Sequence, residues 1–366
     1  MPAVARRSFA LPLLAAVVFL PTTHAATEAF GAGHLAPNLT DHLERPLRYH
    51  PDGGDFVIEN GDGVFNRPLY GGNTAFRVDA GDRPEFVLYL PGRGGNLRLG
   101  VRAGATTKWL HDAARIVARY RPGQMLYEIQ DPLLGDGATL QLAAIAYAET
   151  EGLIVRAGLA GQNAHRAIEL VWAYGGVNGQ RGKRDGDIGT ESVPISEWFQ
   201  LRPEFCAGNA IAIGGEGFTL SAKPATIAGV VPREVKLSVA DAAAWNDPAT
   251  LFAPASGGAA APKHPVLVGR AALSVGEEVY LSLQRLAASA DRTTEDLATY
   301  REVTASRTEA GSPSAPGAPQ LAPVFARSEL PARFRAAERH FRELRQRVSV
   351  ETPDPFFDAA VGALNV

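Results

Sequence analysis

The feature that most constrains this chain is a run of turns. Over residues 55–102, short apolar runs are broken at Asn60-Gly61, Gly71-Gly72-Asn73, Gly81-Asp82 and Gly92 to Gly95. Turn pairs of that kind between β-rich runs favour consecutive hairpins, because Gly and Asn accept the positive φ angles of a tight turn. The last run alternates cleanly, with Leu97, Leu99 and Val101 on one face and Asn96, Arg98 and Arg102 on the other. The pattern repeats downstream. Ile116, Ala118 and Tyr120 alternate with arginines, Pro122-Gly123 turns the chain, and Met125, Tyr127 and Ile129 alternate with polar residues. Leu140–Tyr147 pairs with Leu153–Leu159, and Ile168, Leu170, Trp172 and Tyr174 share a face. Further strands read at 210–213, 218–222, 235–239, 266–273 and 279–283. On the order of a dozen strands at hairpin spacing over residues 55–288, with no helical period between them, predict a mainly β fold: a large antiparallel β-sandwich of two packed sheets.

Composition permits such a core and narrows the partners. Apolar residues are 46% and charged residues 20% of the chain. The net charge is −3, and without Arg6 and Arg7 it is −5, from 34 basic against 39 acidic residues. That balance argues against nucleic acid, which needs a basic face. Residues 1–25 read as a signal peptide: Arg6 and Arg7, the apolar stretch Leu11–Leu20, then Thr23-His24-Ala25 as a cleavage site. A periplasmic or extracellular protein is expected, with no membrane span once the leader is removed. Arg6-Arg7-Ser8-Phe9 partly matches a twin-arginine signal, although Ala10 stands where a leucine is usual.

Behind a polar connection at 26–54 and the sandwich, the pattern changes. Thr293-Thr294-Glu295-Asp296 opens a helix over 289–308 with Leu297, Tyr300 and Val303 at helical spacing. Residues 309–325 form a Pro/Gly/Ser-rich linker. In 326–350, Ser328 reads as a cap, and Leu330, Phe334, Ala337, Phe341, Leu344 and Val348 as one apolar stripe. Glu338–Arg342 and Glu343–Arg347 read as i,i+4 pairs. Thr352-Pro353-Asp354-Pro355 then starts a helix with Phe356, Phe357, Ala360, Val361 and Leu364 on an apolar face. The chain stops within that helix, and the expectation is that it is the front of a longer protein.

This order resembles the secreted six-hairpin glycosidase-like enzymes, which carry a toroid of paired helices behind an N-terminal β-sandwich. TPDPFFDAAVGALNV (352–366) looks like the first toroid helix. ENGDGVFNRPLYGGNTAFRVDAGDRPEFVLYLPGRGGNL (59–97) and YGGVNGQRGKRDGDIG (174–189) resemble an uncharacterised bacterial domain family found at that N-terminal place. The resemblance implies the non-catalytic front of a glycoside hydrolase, partnered by a carbohydrate substrate and by its own helical domain. Its two catalytic carboxylates would lie beyond Val366. A polysaccharide lyase of similar architecture is the near alternative, and a non-catalytic carbohydrate-binding or surface-interaction sandwich the more distant one.

Candidate substrate contacts follow, with no cofactor and no metal expected. The loop Asn178–Glu191 packs Arg181, Lys183, Arg184, Asp185 and Asp187 among glycines, and in related enzymes a sandwich loop reaches the sugar site. Arg suits bidentate contact with a uronate. The plainer reading is a solvated surface loop. Asp185-Gly186-Asp187-Ile188-Gly189 is half a calcium loop but lacks the terminal bidentate Glu. Asn66 and Arg67 could offer a polar pair. Otherwise Asn66 caps a turn, Arg67 pairs with an acid, and Phe65 and Tyr70 pack inside. Trp109, Trp198 and Trp245 could stack on sugars, or anchor loops through their apolar area. Cys206, the single cysteine, reads as a buried small hydrophobe.

Overall fold

A computed structural model describes residues 48–366, apart from 64, 72–75, 91, 163, 166, 179–198, 255–260 and 287–323. Residues 1–47, which include the stretch read as a signal peptide, lie outside the described residues. Among the described residues no helix is long and apolar enough to cross a membrane.

The turns produce two large antiparallel sheets. The first has ten strands. One half runs β1 (His50–Asp52), β2 (Asp55–Glu59), β8 (Arg115–Arg121), β9 (Gln124–Gln130), β10 (Thr139–Ala146) and β11 (Gly152–Ala160). The other half continues with β18 (Glu278–Arg285), β15 (Thr226–Val230), β14 (Gly217–Ser221) and β13 (Ala210–Gly214). The second sheet runs β16 (Lys236–Asp241), β17 (Pro265–Leu273), β12 (Ile168–Val177), β6 (Arg93–Ala103), β5 (Glu85–Tyr89), β4 (Arg77–Gly81) and β3 (Asn66–Tyr70). Its eighth strand, β7 (Thr106–Trp109), continues the β5 side of β6, pairing Gly100–Ala103 where β5 has stopped. β1 had no alternation to announce it. It forms because Gly53 and Gly54, both at positive φ, fold it back on β2.

Between the sheets lies one continuous core. Leu97, Leu99 and Val101 face Ile116, Ala118, Met125, Tyr127 and Ile129 across it, and Leu170, Trp172 and Tyr174 extend it. The period of two thus sends the apolar set inward as expected. Gly269 pairs with Trp172, and a side chain there would collide with the indole.

Both outer faces are covered as well, which alternation alone did not show. Over the second sheet, the turns of residues 199–206 and 242–252 bury Trp109, Val171, Cys206, Trp245, Phe252 and Val268. Trp109 and Trp245 lie 6.1 Å apart, so both indoles anchor loops. Trp198 lies outside the described residues. Over the first sheet, helix α1 (Leu330–Arg345) buries Leu330, Phe334, Ala337 and Phe341 against Ala143, Ile145, Ile154 and Val230. Gly123, at φ 85°, turns the β8–β9 hairpin directly beneath the Phe341 ring, where any side chain would collide.

Helix α1 departs from the sequence pattern at both ends. Ser328 sits in a 3-10 turn, while Glu329 accepts the Ala326 N–H at 2.8 Å. The helix stops at Arg345, so Val348 leaves the stripe and is 53% exposed. Glu338 turns inward to accept from Gln124 at 3.1 Å, and among the described residues the i,i+4 ion pair is Glu329–Arg333. Arg345 reaches Asp55 on β2 at 3.7 Å, a carboxylate also held by Arg121 at 2.9 Å and Arg119 at 3.4 Å. Helix α2 (Pro355–Leu364) begins at the end of the Thr352–Pro355 motif, with Asp354 as its cap rather than in its first turn: Asp354 accepts from the Phe356 N–H at 2.9 Å, and Asp358, in the first turn, accepts from the Thr352 hydroxyl at 2.8 Å. Its buried contact is Ala359, however, and Phe357 and Leu364 stay exposed.

Candidate functional site

The outer face of β3–β6 is where polar and aromatic groups gather. Alternation puts Asn66, Pro68 and Tyr70 of β3 on that face, beside Arg77 and Asp79 of β4 and Glu85, Val87 and Tyr89 of β5. Pro68 is tolerated because β3 ends the sheet path, where a missing N–H costs no ladder bond. Asp79 organises the strip: Asn66 Nδ2 donates to its Oδ1 at 3.2 Å, and Arg77 Nε donates to the same atom at 3.3 Å. The Arg77 guanidinium lies 3.8 Å from the centre of the Tyr89 ring. Tyr70 is 45% exposed rather than packed inside, because it shares Asn66's parity on the strand.

Asn66 and Arg67 are therefore not brought together. Neighbours on a strand point to opposite faces. Arg67 shares the inward side with Leu69, and its guanidinium lies over the Tyr49 ring at 4.8 Å and the Tyr120 ring at 5.6 Å. Aromatic faces replace the acid expected beside it.

Further along the same sheet face, a buried polar group flanks this strip. Arg98 binds Glu85 Oε1 at 2.8 Å through Nη2 and donates to Asn246 Oδ1 at 3.0 Å. Its guanidinium also lies between Trp109 and Trp245. His111 stands with Nδ1 3.6 Å from Glu85 and Nε2 3.3 Å from Asp112, and burial lowers its pKa. Arg93 donates to Asn96 at 2.7 Å and stacks on Phe205. Burial, then the neighbouring Arg202, pushes its pKa down to about 10. Asn96 and Arg98 alternated visibly in the sequence, but nothing local signalled Glu85 beside them or the turns from residues 199–206 and 242–252 that cover this group.

The loop holding Arg181, Lys183, Arg184, Asp185 and Asp187 lies outside the described residues, as does the half calcium loop within it. Its flanks are fixed on this face. Asn209 clamps Val177, accepting its N–H at 3.0 Å and donating to its carbonyl at 2.7 Å, and Phe199 packs on Val87. Among the described residues no group of three or more His, Cys, Asp or Glu is placed to hold a metal ion. Cys206 is fully buried, and burial pushes its thiol up to about 12, which suits packing rather than nucleophilic chemistry. The strip offers an amide, a carboxylate, a guanidinium and an open phenol ring. Such groups hydrogen-bond hydroxyls and stack on an apolar ring face.

Two packed antiparallel sheets, sealed by a helix on one outer face and carrying a polar strip on the other, define a large β-sandwich protein. The chain belongs to the family described as a domain of unknown function, DUF4450, whose model matches residues 90–305. That span contains residues 174–189 whole and only the end of 59–97. No curated protein matches the chain. A solved structure of a bacterial glucoamylase complexed with acarbose is similar at 8% identity and a TM-score of 0.33, over 69% of this chain. The match takes in 38% of the glucoamylase chain.

Proposed function

We propose that this chain is the N-terminal sandwich of an exported carbohydrate-active enzyme, a glycoside hydrolase of the six-hairpin kind. It braces a helical catalytic domain and lends its 178–191 loop to the sugar site. The observation that carries this reading is the seam under helix α1. The sandwich buries Leu330, Phe334, Ala337 and Phe341 on its ten-stranded sheet, then leads through the capped start of α2. A sandwich that clamps helices to its outer face is suited to holding a helical domain in register. The domain so held acts outside the cytoplasm on a polysaccharide or oligosaccharide, using carboxylates of its own. A second reading, a carbohydrate-binding module without chemistry, is favoured by the Asn66–Asp79–Arg77 strip with Tyr70 beside it.

The test is an assay of the whole secreted protein on neutral and uronate polysaccharides. New reducing ends without ultraviolet absorbance are expected. An absorbing unsaturated uronate product would make it a lyase. Binding of glycans by residues 26–366, with no turnover by the whole protein, would leave the binding module. Arg184→Ala combined with Asp187→Ala is expected to raise KM with little change in kcat, and unchanged constants would remove the loop from the site.

A further inference from the structure

Among the described residues the two sheet paths have four ends, and three of them are guarded. β1 carries Pro51 and Asp52, β3 carries Arg67 and Pro68, and β16 carries Lys236 and Asp241. Proline and charge are what keep an open strand margin from pairing with another chain. The fourth end, β13, reads Ala210-Ile211-Ala212-Ile213-Gly214 and has neither. On one side it pairs with β14, in unbroken register from Ala210–Ser221 to Gly214–Gly217. Its other side is the margin of the ten-stranded sheet, and all of its residues but Ile211 are exposed, Ile213 by 47%.

The strand is complementary to a second copy of itself. A two-fold axis through Ala212, normal to the sheet, runs two β13 strands antiparallel and sets Ala212 against its own copy. Ile211 then stands against Ile213, and Ala210 against Gly214. Ile211 and Ile213 share the core side of the strand, where Ile211 packs on the core and Ile213 pairs with Phe218. Each half-exposed Ile213 therefore covers the Ile211 of the other copy, an aliphatic cross-strand pair made twice. A charged strand opposed to itself sets like charges together, and β13 has no charge to oppose. The flanks agree. Glu216 meets Gly208 in this register, and within its own chain Glu216 already accepts the Arg327 N–H at 2.7 Å.

We propose that two copies of this chain join β13 to β13, merging two ten-stranded sheets into one continuous sheet. The proposal is independent of the catalytic reading. A pairing through one short strand falls at the small end of protein interfaces, below about 1,200 Å². The dimer is therefore expected to be reversible, its share growing with concentration. Sedimentation equilibrium of the full chain across a wide concentration range tests it, with a mass rising from one chain toward two. Ala212→Lys sets two lysines face to face on the axis and is expected to weaken the dimer at least about tenfold. Because Ala212 is exposed, the single chain keeps its fold. Ala212→Glu alone is expected to do the same. Mixing the two variants, lysine against glutamate, is expected to restore a dimer with one copy of each. A chain that stays monomeric at every concentration overturns the proposal. So does a dimer indifferent to Ala212→Lys, or a mixture of the two variants that does not recover.

Discussion

At the scale of the residue, the charges that matter are those the fold has covered. Arg98 and Glu85 are held with side chains 7% and 15% exposed, whereas Arg115 and Glu59 are 41% and 52% exposed. Removing one partner of a buried pair strands the other charge, at a cost of about 3–5 kcal/mol. An open pair contributes about 0–1 kcal/mol. Arg98→Met is therefore expected to lower the urea midpoint far more than Arg115→Met, and similar shifts would show that the buried network is not structural. Asp82 behaves differently. It is completely buried below the loop 61–65, and neither oxygen reaches a partner at full hydrogen-bond geometry. The N–H groups of Phe65 and Gly63 face it, but burial outweighs them and raises its pKa. A carboxyl whose folded value is raised favours folding below its unfolded value, and loses that contribution as pH rises through the folded one. The melting temperature of Asp82→Asn minus that of wild type is thus expected to grow as pH rises through the carboxylate range to 7. A flat difference would mean that Asp82 titrates normally.

At the scale of the element, helix α1 was legible and its limits were not. Leu330, Phe334, Ala337 and Phe341 announce their stripe through spacing alone, because one side of any helix on a sheet must be apolar. Its end at Arg345 depends on a distant group: Asn365 Nδ2 donates to the carbonyls of Arg345 and Val348. Glu338 likewise left its predicted helical partner for Gln124, a residue on another element. The strands show the same division. Leu97, Leu99 and Val101 could be placed inward from alternation, while the burial of Asn96 and Arg98 needed turns from far along the chain. Arg67 could not be placed, since only the fold brings Tyr49 and Tyr120 beneath it. Phe334→Ala is expected to cost about 3–5 kcal/mol, the range for a buried aromatic. Val348→Asp, off the stripe and exposed, should stay within about 0.5 kcal/mol of wild type. Equal effects in urea denaturation would place the seam elsewhere.

At the scale of the whole molecule, the sandwich is a five-layer object: an inner core, two sheets, and a cover on each outer face. The covers make truncation sensitive to position. A chain ending at 345 keeps α1 over Ala143, Ile145, Tyr147, Ile154 and Val230 and is expected to remain soluble. A chain ending at 323 uncovers all five and is expected to bind an apolar dye and aggregate. Indifference of both to the cut would mean that α1 is an ornament on the sheet. The order of strands carries one more consequence, for how the protein comes into being. β11 pairs on one side with β10, but on the other with β18 rather than with the next strand in sequence, residues 152–158 against 278–284. A ribosome making about 5–20 residues per second needs on the order of ten seconds to pass from one to the other. Through that interval the first half of the large sheet waits with an open margin, so the nascent protein matures late and all together rather than hairpin by hairpin.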